Sequence, residues 1–243
     1  MNKSFFKKIW ELEKIANQLL VSENSTHGLR RSLRQILKEI NLYKNHINGS
    51  KKLITKKNTE KIQIGGGKHI LNNYLNIDIN LPADIIYDIR EGIPLSDKCS
   101  IIIFVEHFLE HLDYPVSAKK FISECFRILK NGGRLIIGVP DSQLMIKNYI
   151  EKNPIFYKKT IKNWYSKRNF IKHINTYIDL LNYHFRDQDD DKKYTSHLWA
   201  YDYEKLISLL NGGGFKKVNK WKFDKKIANL KRRFGSVYLE GIK

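Results

Sequence analysis

Two hydrophobic periods divide the chain. In 4–20, "SFFKKIWELEKIANQLL", Phe5, Phe6, Ile9, Trp10, Leu12, Ile15, Leu19 and Leu20 recur at mainly helical spacing. In 26–43 Leu29, Leu33, Ile36, Leu37, Ile40 and Tyr43 do the same. Two amphipathic helices are predicted. Their apolar faces need cover from the rest of the chain or from a second subunit, and their basic polar faces also suit a membrane surface. The stretch "NHINGSKKLITKKNTEK" (45–61) is polar and basic and reads as a linker.

From residue 61 the period shortens. "KIQI" (61–64), "LNIDI" (75–79) and "ADIIYDI" (83–89) are short β-branched runs. "SIIIFV" (100–105) and "RLIIGV" (134–139) are continuously apolar, as strands covered on both faces of a parallel sheet are. Between the last two, Val116, Phe121, Ile122, Cys125, Ile128 and Leu129 return to helical spacing, with Pro115 suited to the first turn and Gly132 to the stop. Strand, crossover helix, strand predicts an α/β sheet with right-handed crossovers. After Asp141 the order is lost for about fifty basic, aromatic residues. "DYEKLISLLNGGGF" (202–215) then reads as a helix capped by Asp202, and "KKVNKWKF" and "GSVYLEGI" as a closing antiparallel pair. The expected division is an arm and linker, 1–58, and a domain, 59–243, with an insertion around 142–200.

Composition narrows the setting. Two cysteines, Cys99 and Cys125, make no disulfide framework and point to a reducing compartment. No apolar run is long enough to span a membrane, and the N-terminus is a poor secretory signal, so a cytoplasmic location is expected. The net charge of +19 sits in the flanks: residues 61–150 are neutral, while 1–60 carry +8 and 151–243 carry +11. An anionic partner, whether nucleic acid, membrane surface or charged glycan, would fit. A bias of composition with no partner behind it fits better, because acids interrupt most of the basic runs.

The three glycines after the first strand, Gly65, Gly66 and Gly67, select among ligands. A P-loop needs Lys and then Ser/Thr, whereas "GGGKHI" has an imidazole after its lysine. A dinucleotide site needs a third glycine, a helix and an acid ~20 residues on. Here the next strand-end acid, Asp78, comes thirteen residues after Gly65, too soon for that helix. An adenosine ligand without pyrophosphate needs no helix dipole, and S-adenosylmethionine is one. Asp78 could then accept from the ribose hydroxyls, and Asp88 from the adenine amino group.

"IQIGGG", "NIDI", "YDIREGIPLSD", "VEHFLEHL" and "FRILKNGGRLIIGVPD" resemble, in order, the motifs of class I S-adenosylmethionine-dependent methyltransferases. The likeness is greatest to the short-loop bacterial branch often linked to surface polysaccharide synthesis. It spans about 61–141 and continues faintly to the C-terminus. It implies a Rossmann-like, doubly wound, mostly parallel sheet of about seven strands. Gly65, Gly66 and Gly67 would lie beside the methionine part, Asp78 on the ribose, Asp88 and Ile89 at the adenine, and Glu106 and His107 near the reactive methyl. The acid that often opens the fourth strand is here Ile101.

Methyl transfer to a hydroxyl needs alignment and a proton acceptor. The candidate bases are His107, His184 and His197, with His111 and Asp141 behind them. "EHFLEH" would set His107 and His111 on one face of a helix, a spacing that also suits a metal with Glu110 nearby. It is not H-E-x-x-H, so Glu110 and His111 are expected to satisfy backbone groups at a turn, and no metal ligand is assigned. Asp187, Asp189 and Asp191 alternate like the start of a calcium loop, but Lys192 and Leu198 stand where glycine and glutamate should. A solvated loop is expected there. "WAYDY" offers either stacking surface or core aromatics. The expected function is O-methylation of a sugar hydroxyl in a surface glycan or its precursor. The alternatives are an RNA methyltransferase and a non-catalytic S-adenosylmethionine-binding protein. The expected partners are a glycan or small-molecule acceptor, then nucleic acid, a membrane surface, or a second copy through the arm.

Overall fold

A computed structural model describes residues 3–54, 59–165, 169–187 and 196–243. Seven strands form one sheet in the order β3-β2-β1-β4-β5-β7-β6. They are β1 (Lys61–Ile64), β2 (Leu75–Asp78), β3 (Ile85–Ile86), β4 (Ser100–Glu106), β5 (Leu129–Pro140), β6 (Lys217–Lys220) and β7 (Ser236–Ile242). The first five pair in parallel, and β7 runs antiparallel to both β5 and β6. This is the Rossmann-like α/β sheet expected, with the closing antiparallel pair at its edge.

Ile62, Ile64, Ile103, Val105, Leu135 and Ile137 belong to one core, shared with α3 (Val116–Ile128) and α7 (Tyr203–Gly212). The other face carries Ile102, Phe104 and Ile136 and is closed by Leu71, Ala228 and Tyr238. Between β1 and β2 the chain forms no helix. Buried Gln63 donates to His69 O (2.7 Å) and accepts from the Leu71 amide (2.8 Å), while Asn76 donates to Tyr74 O (2.9 Å). These two side-chain amides satisfy main-chain groups that a helix would otherwise pair. The connection can therefore be short, which is why Asp78 follows Gly65 so closely.

Three sequence expectations shift. The predicted linker is helical through Ile54: α1 (Lys3–Val21) is followed by one long α2 (His27–Ile54). Phe5 and Phe6 pack on Tyr43, and Leu53, fully buried, joins the main core. The arm is thus seated on the domain, with Trp10, Ile15, Leu19 and Val21 left exposed. β3 is only two residues long, because Asp88 caps the next turn by accepting from the Arg90 amide. The crossover helix stops at Ile128 rather than Gly132: Leu129 is already paired with Ser100 in the sheet. The helix read at 202–215 is present, capped by Asp202 through the Lys205 amide.

After β5, α4 (Ser142–Ile150), α5 (Pro154–Thr160), a π-helical turn (Ile161–Tyr165) and α6 (Tyr177–Arg186) gather around Met145, Phe156, Tyr157, Tyr165 and Leu180. This second apolar cluster stands beside the carboxyl ends of the strands. Among the described residues no helix is long and apolar enough to cross a membrane. Cys99 and Cys125 are unbridged.

Candidate active site

Strands β1 and β4 are neighbours, yet the chain leaves them toward opposite edges of the sheet. Their carboxyl ends therefore open a crevice, where α/β sheets bind ligands. A cleft of about 760 Å³ lies there, lined by Gly65, Gly67, Asp78, Asp88, Ile89 and His107 among others.

The three glycines do different things. Gly65 has φ +68°, and a Cβ on it would meet the Phe108 ring at 2.5 Å. Its lack of a side chain serves the protein's own packing. Gly67 has φ +57° and open space where a Cβ would be, and its N–H donates to Asp78 Oδ2 at 2.9 Å. This is the glycine whose bare backbone faces the cleft. Gly66 does not line the cleft: its Cα faces the Gln63 amide and the His69 carbonyl. Its expected cofactor contact is corrected to a structural one.

Asp78 ends β2 as expected. Its Oδ1 accepts from the Asn80 amide at 3.0 Å and its Oδ2 from Gly67, so each oxygen keeps acceptor capacity. Asp88 reaches the cleft, but Arg90 grips both its oxygens, with Nη2 2.6 Å from Oδ2 and Nε 2.9 Å from Oδ1. Arg90 Nη2 also bonds Glu39 of α2 at 3.0 Å, which ties the arm to the cofactor end of the cleft. Ile89, nearly fully buried, supplies an apolar wall.

Glu106 is corrected outright. Its side chain turns away from the cleft, where Oε1 accepts from Tyr238 Oη at 2.7 Å and the Asn229 amide approaches at 3.2 Å. Arg232 adds an ion pair at 3.4 Å. A carboxylate so occupied holds β7 and the 229–232 turn on the sheet. The alternation of side chains along β4 sends it to the opposite face from its neighbours.

His107 lies in the cleft with φ +53°. Its Nε2 is 2.8 Å from Ser236 Oγ and its Nδ1 3.9 Å from Glu110 Oε1. Burial, helped by nearby Arg232, holds it well below the usual histidine range, so it is neutral. His184 is corrected: it is absent from the cleft, stacked beside Trp164 with Nε2 3.3 Å from Ser142 Oγ. Burial pushes its pKa down to about 3. It is a core histidine. Asp141 is spent on capping α4 through the Leu144 amide.

His197 does reach the cleft. Its Nδ1 is 2.7 Å from the His184 carbonyl, which fixes Nδ1 as the protonated nitrogen. Its Nε2 then faces Glu110 Oε1 (3.9 Å) and Asp187 Oδ2 (3.7 Å). The His111 ring packs on His197 at 4.9 Å. The chain around His111 is a single 3-10 turn, Leu109–His111, rather than a longer helix. Glu110 does not satisfy backbone groups with its side chain. It is 2% exposed, neither oxygen has a hydrogen-bond partner, and burial raises its pKa to about 8. Asp187 is not solvated either: it is buried, with φ +40°, and it lines the cleft. Asp189, Asp191 and Lys192 lie outside the described residues. In "WAYDY", Tyr201 is buried core, and Trp199 stacks on Tyr114 away from the cleft.

Sequence reasoning missed Glu110, Asp187 and Trp164 as cleft residues. The "EHFLEH" spacing held a signal for the first. For Trp164, distant in sequence from every motif, none existed.

A protein-family model described as "Methyltransferase domain" matches residues 72–137. An uncharacterized protein of Methanocaldococcus jannaschii is 28% identical over 141 residues, 54% of this chain. The match spans 65% of that relative's length. A SAM-dependent methyltransferase from Thermotoga maritima superposes with TM-score 0.42 at 15% identity, covering 88% of this chain and 97% of the other. One from Archaeoglobus fulgidus gives 0.43 at 15%, covering 85% and 94%. The match over 72–137 falls on the segment that holds Asp78, Asp88 and the β4 end, so that stretch is similar to a methyltransferase domain, and the crevice beside it sets bare glycine backbone next to a strand-end acid.

Proposed function

We propose that this protein transfers a methyl group from S-adenosylmethionine to a hydroxyl, on a sugar of a surface glycan or its precursor. One observation supports the cofactor half most: Asp78 and the Gly67 amide, 2.9 Å apart, frame the crevice with acceptor capacity to spare and no helix N-terminus for a pyrophosphate. The adenine would lie along Ile89 and Asp88, and the methionine tail beside Gly67. The glycan half rests on the resemblance in sequence. Lys68, Lys231 and Arg232 on the cleft lining favour an acceptor with negative charge. The insertion at 142–200 would close over it, and the arm, 1–58, would dock the enzyme to its partner.

In the reaction the acceptor oxygen bonds the methyl carbon as the carbon–sulfur bond breaks. The electron pair stays on sulfur, giving S-adenosylhomocysteine, and the hydroxyl proton must leave. His107 is assigned as its acceptor: it is neutral, in the cleft, and oriented by Ser236 Oγ, 2.8 Å from its Nε2. His197 is the reserve base only where its Nε2 holds no cation. His107→Gln should lower turnover by roughly 10²–10⁴-fold with S-adenosylhomocysteine affinity unchanged. Mass spectrometry of glycans from cells with and without the protein tests the acceptor: a missing methyl mass in the deletion supports it, and identical glycans refute it. An RNA acceptor would instead show binding that falls steeply with salt.

A further inference from the structure

We propose that Glu110, His111 and His197, joined by Asp187, form a binding site for a divalent first-row transition cation in the acceptor half of the cleft.

One ligand atom each from Glu110, His111 and His197 lies within 4.8 Å of the others. Two donors at ~2.1 Å from one ion are about 3.0 Å apart at a right angle and about 4.2 Å apart when opposite. The contacts of His197 Nε2 to Glu110 (3.9 Å) and Asp187 (3.7 Å) fall inside that range. In a tetrahedral site donors stand about 3.4 Å apart, so closing the widest pair needs a combined side-chain movement of about 1.4 Å.

Two features point to a cation. The first is the carboxylate of Glu110: it is almost wholly buried, aimed into the cleft, and without a hydrogen bond on either oxygen. Such a group is costly unless protonated or paired with positive charge. The second is the orientation of the imidazoles. His197 gives its Nδ1 proton to the His184 carbonyl, and His111 Nδ1 faces the Ser196 carbonyl at 3.4 Å. A backbone acceptor behind Nδ1 is the outer-shell arrangement that presents Nε2 as a lone pair to a metal. Imidazole donors favour Zn2+ or a like late first-row cation over Mg2+, Ca2+ and Mn2+.

The site stands on its own geometry. Its use rests on the methyltransferase reading: a cation there would hold acceptor oxygens in line with the methyl and favour ionisation of the attacking hydroxyl. The test uses the full chain stripped with a chelator. Zn2+ binding is measured by calorimetry, Co2+ binding by visible ligand-field bands, and S-adenosylhomocysteine binding in parallel. The expected result is one Zn2+ per chain and Co2+ bands that Zn2+ displaces. Glu110→Gln and His111→Ala should each weaken binding at least ~100-fold, with S-adenosylhomocysteine affinity retained as the sign of an intact fold. Variants that titrate like the wild type would mean an adventitious ion only and overturn the site. So would a wild-type chain that binds S-adenosylhomocysteine but gives neither Zn2+ heat nor Co2+ bands. Cation binding without S-adenosylhomocysteine binding would support the site and sink the methyltransferase reading instead.

Discussion

Acidification should unfold this protein early, and His184 is a principal reason. The side chain is 2% exposed, bounded by Trp164 and Ser142, and its pKa is pushed down to about 3 by burial. In the unfolded chain it titrates near ~6.5. Between those values the unfolded state holds one more proton than the folded state, so stability falls as pH falls. The slope is about 1.4 kcal/mol per pH unit. From pH 6.5 to 4.5 this one group should therefore cost about 2 kcal/mol, because the full slope is reached only below the unfolded pKa. Burial leaves little solvent screening to reduce that figure. His107, also held low, adds to the same limb. His184→Gln keeps a polar partner for Ser142 and removes the titration. Urea unfolding of wild type and variant at half-unit pH steps would show the variant's stability flatter by that slope. Parallel curves over pH 6.5–4.5 would refute the placement of His184 as a buried neutral residue and reopen its case as a base.

Gly65→Ala should lower stability by about 1–3 kcal/mol, because the new methyl meets the Phe108 ring and φ +68° suits only glycine well; a thermal melt checks it. Leu53→Ala, at a fully buried core position, should cost about 2–5 kcal/mol. Deleting residues 1–58 should consequently destabilise the domain and weaken S-adenosylhomocysteine binding through the lost Glu39–Arg90 pair, seen by calorimetry. Light scattering on the full chain tests whether the exposed face of α1 pairs two copies: a monomer mass would exclude that role.

The centre of the sheet was legible in the sequence because β4 and the second half of β5 are covered on both faces and read as unbroken apolar runs. The cleft acids Asp78 and Asp88 were legible because each follows a β-branched run. Side-chain direction at strand ends was not. Glu106 and His107 are adjacent, yet one faces Tyr238 and the other the cleft. Nor did local pattern predict tertiary cover. Residues 45–54 look like a polar linker, but Leu53 anchors them in the core as helix. Glu110 and His197 are far apart in sequence, and only the fold of the 142–200 segment brings them within 3.9 Å. The glycines show both sides of the matter: their presence announced a close approach, while the structure separates the one that packs on Phe108 from the one that faces the cleft.

Calorimetry of the purified chain with S-adenosylhomocysteine and with NAD tests the central claim most directly. S-adenosylhomocysteine should bind, NAD should bind far more weakly or not at all, and Asp78→Ala should weaken the first by about 1.5–3 kcal/mol, the range for hydrogen bonds to a charged group. Tighter binding of NAD, or an Asp78→Ala variant with wild-type affinity for S-adenosylhomocysteine, would contradict the account.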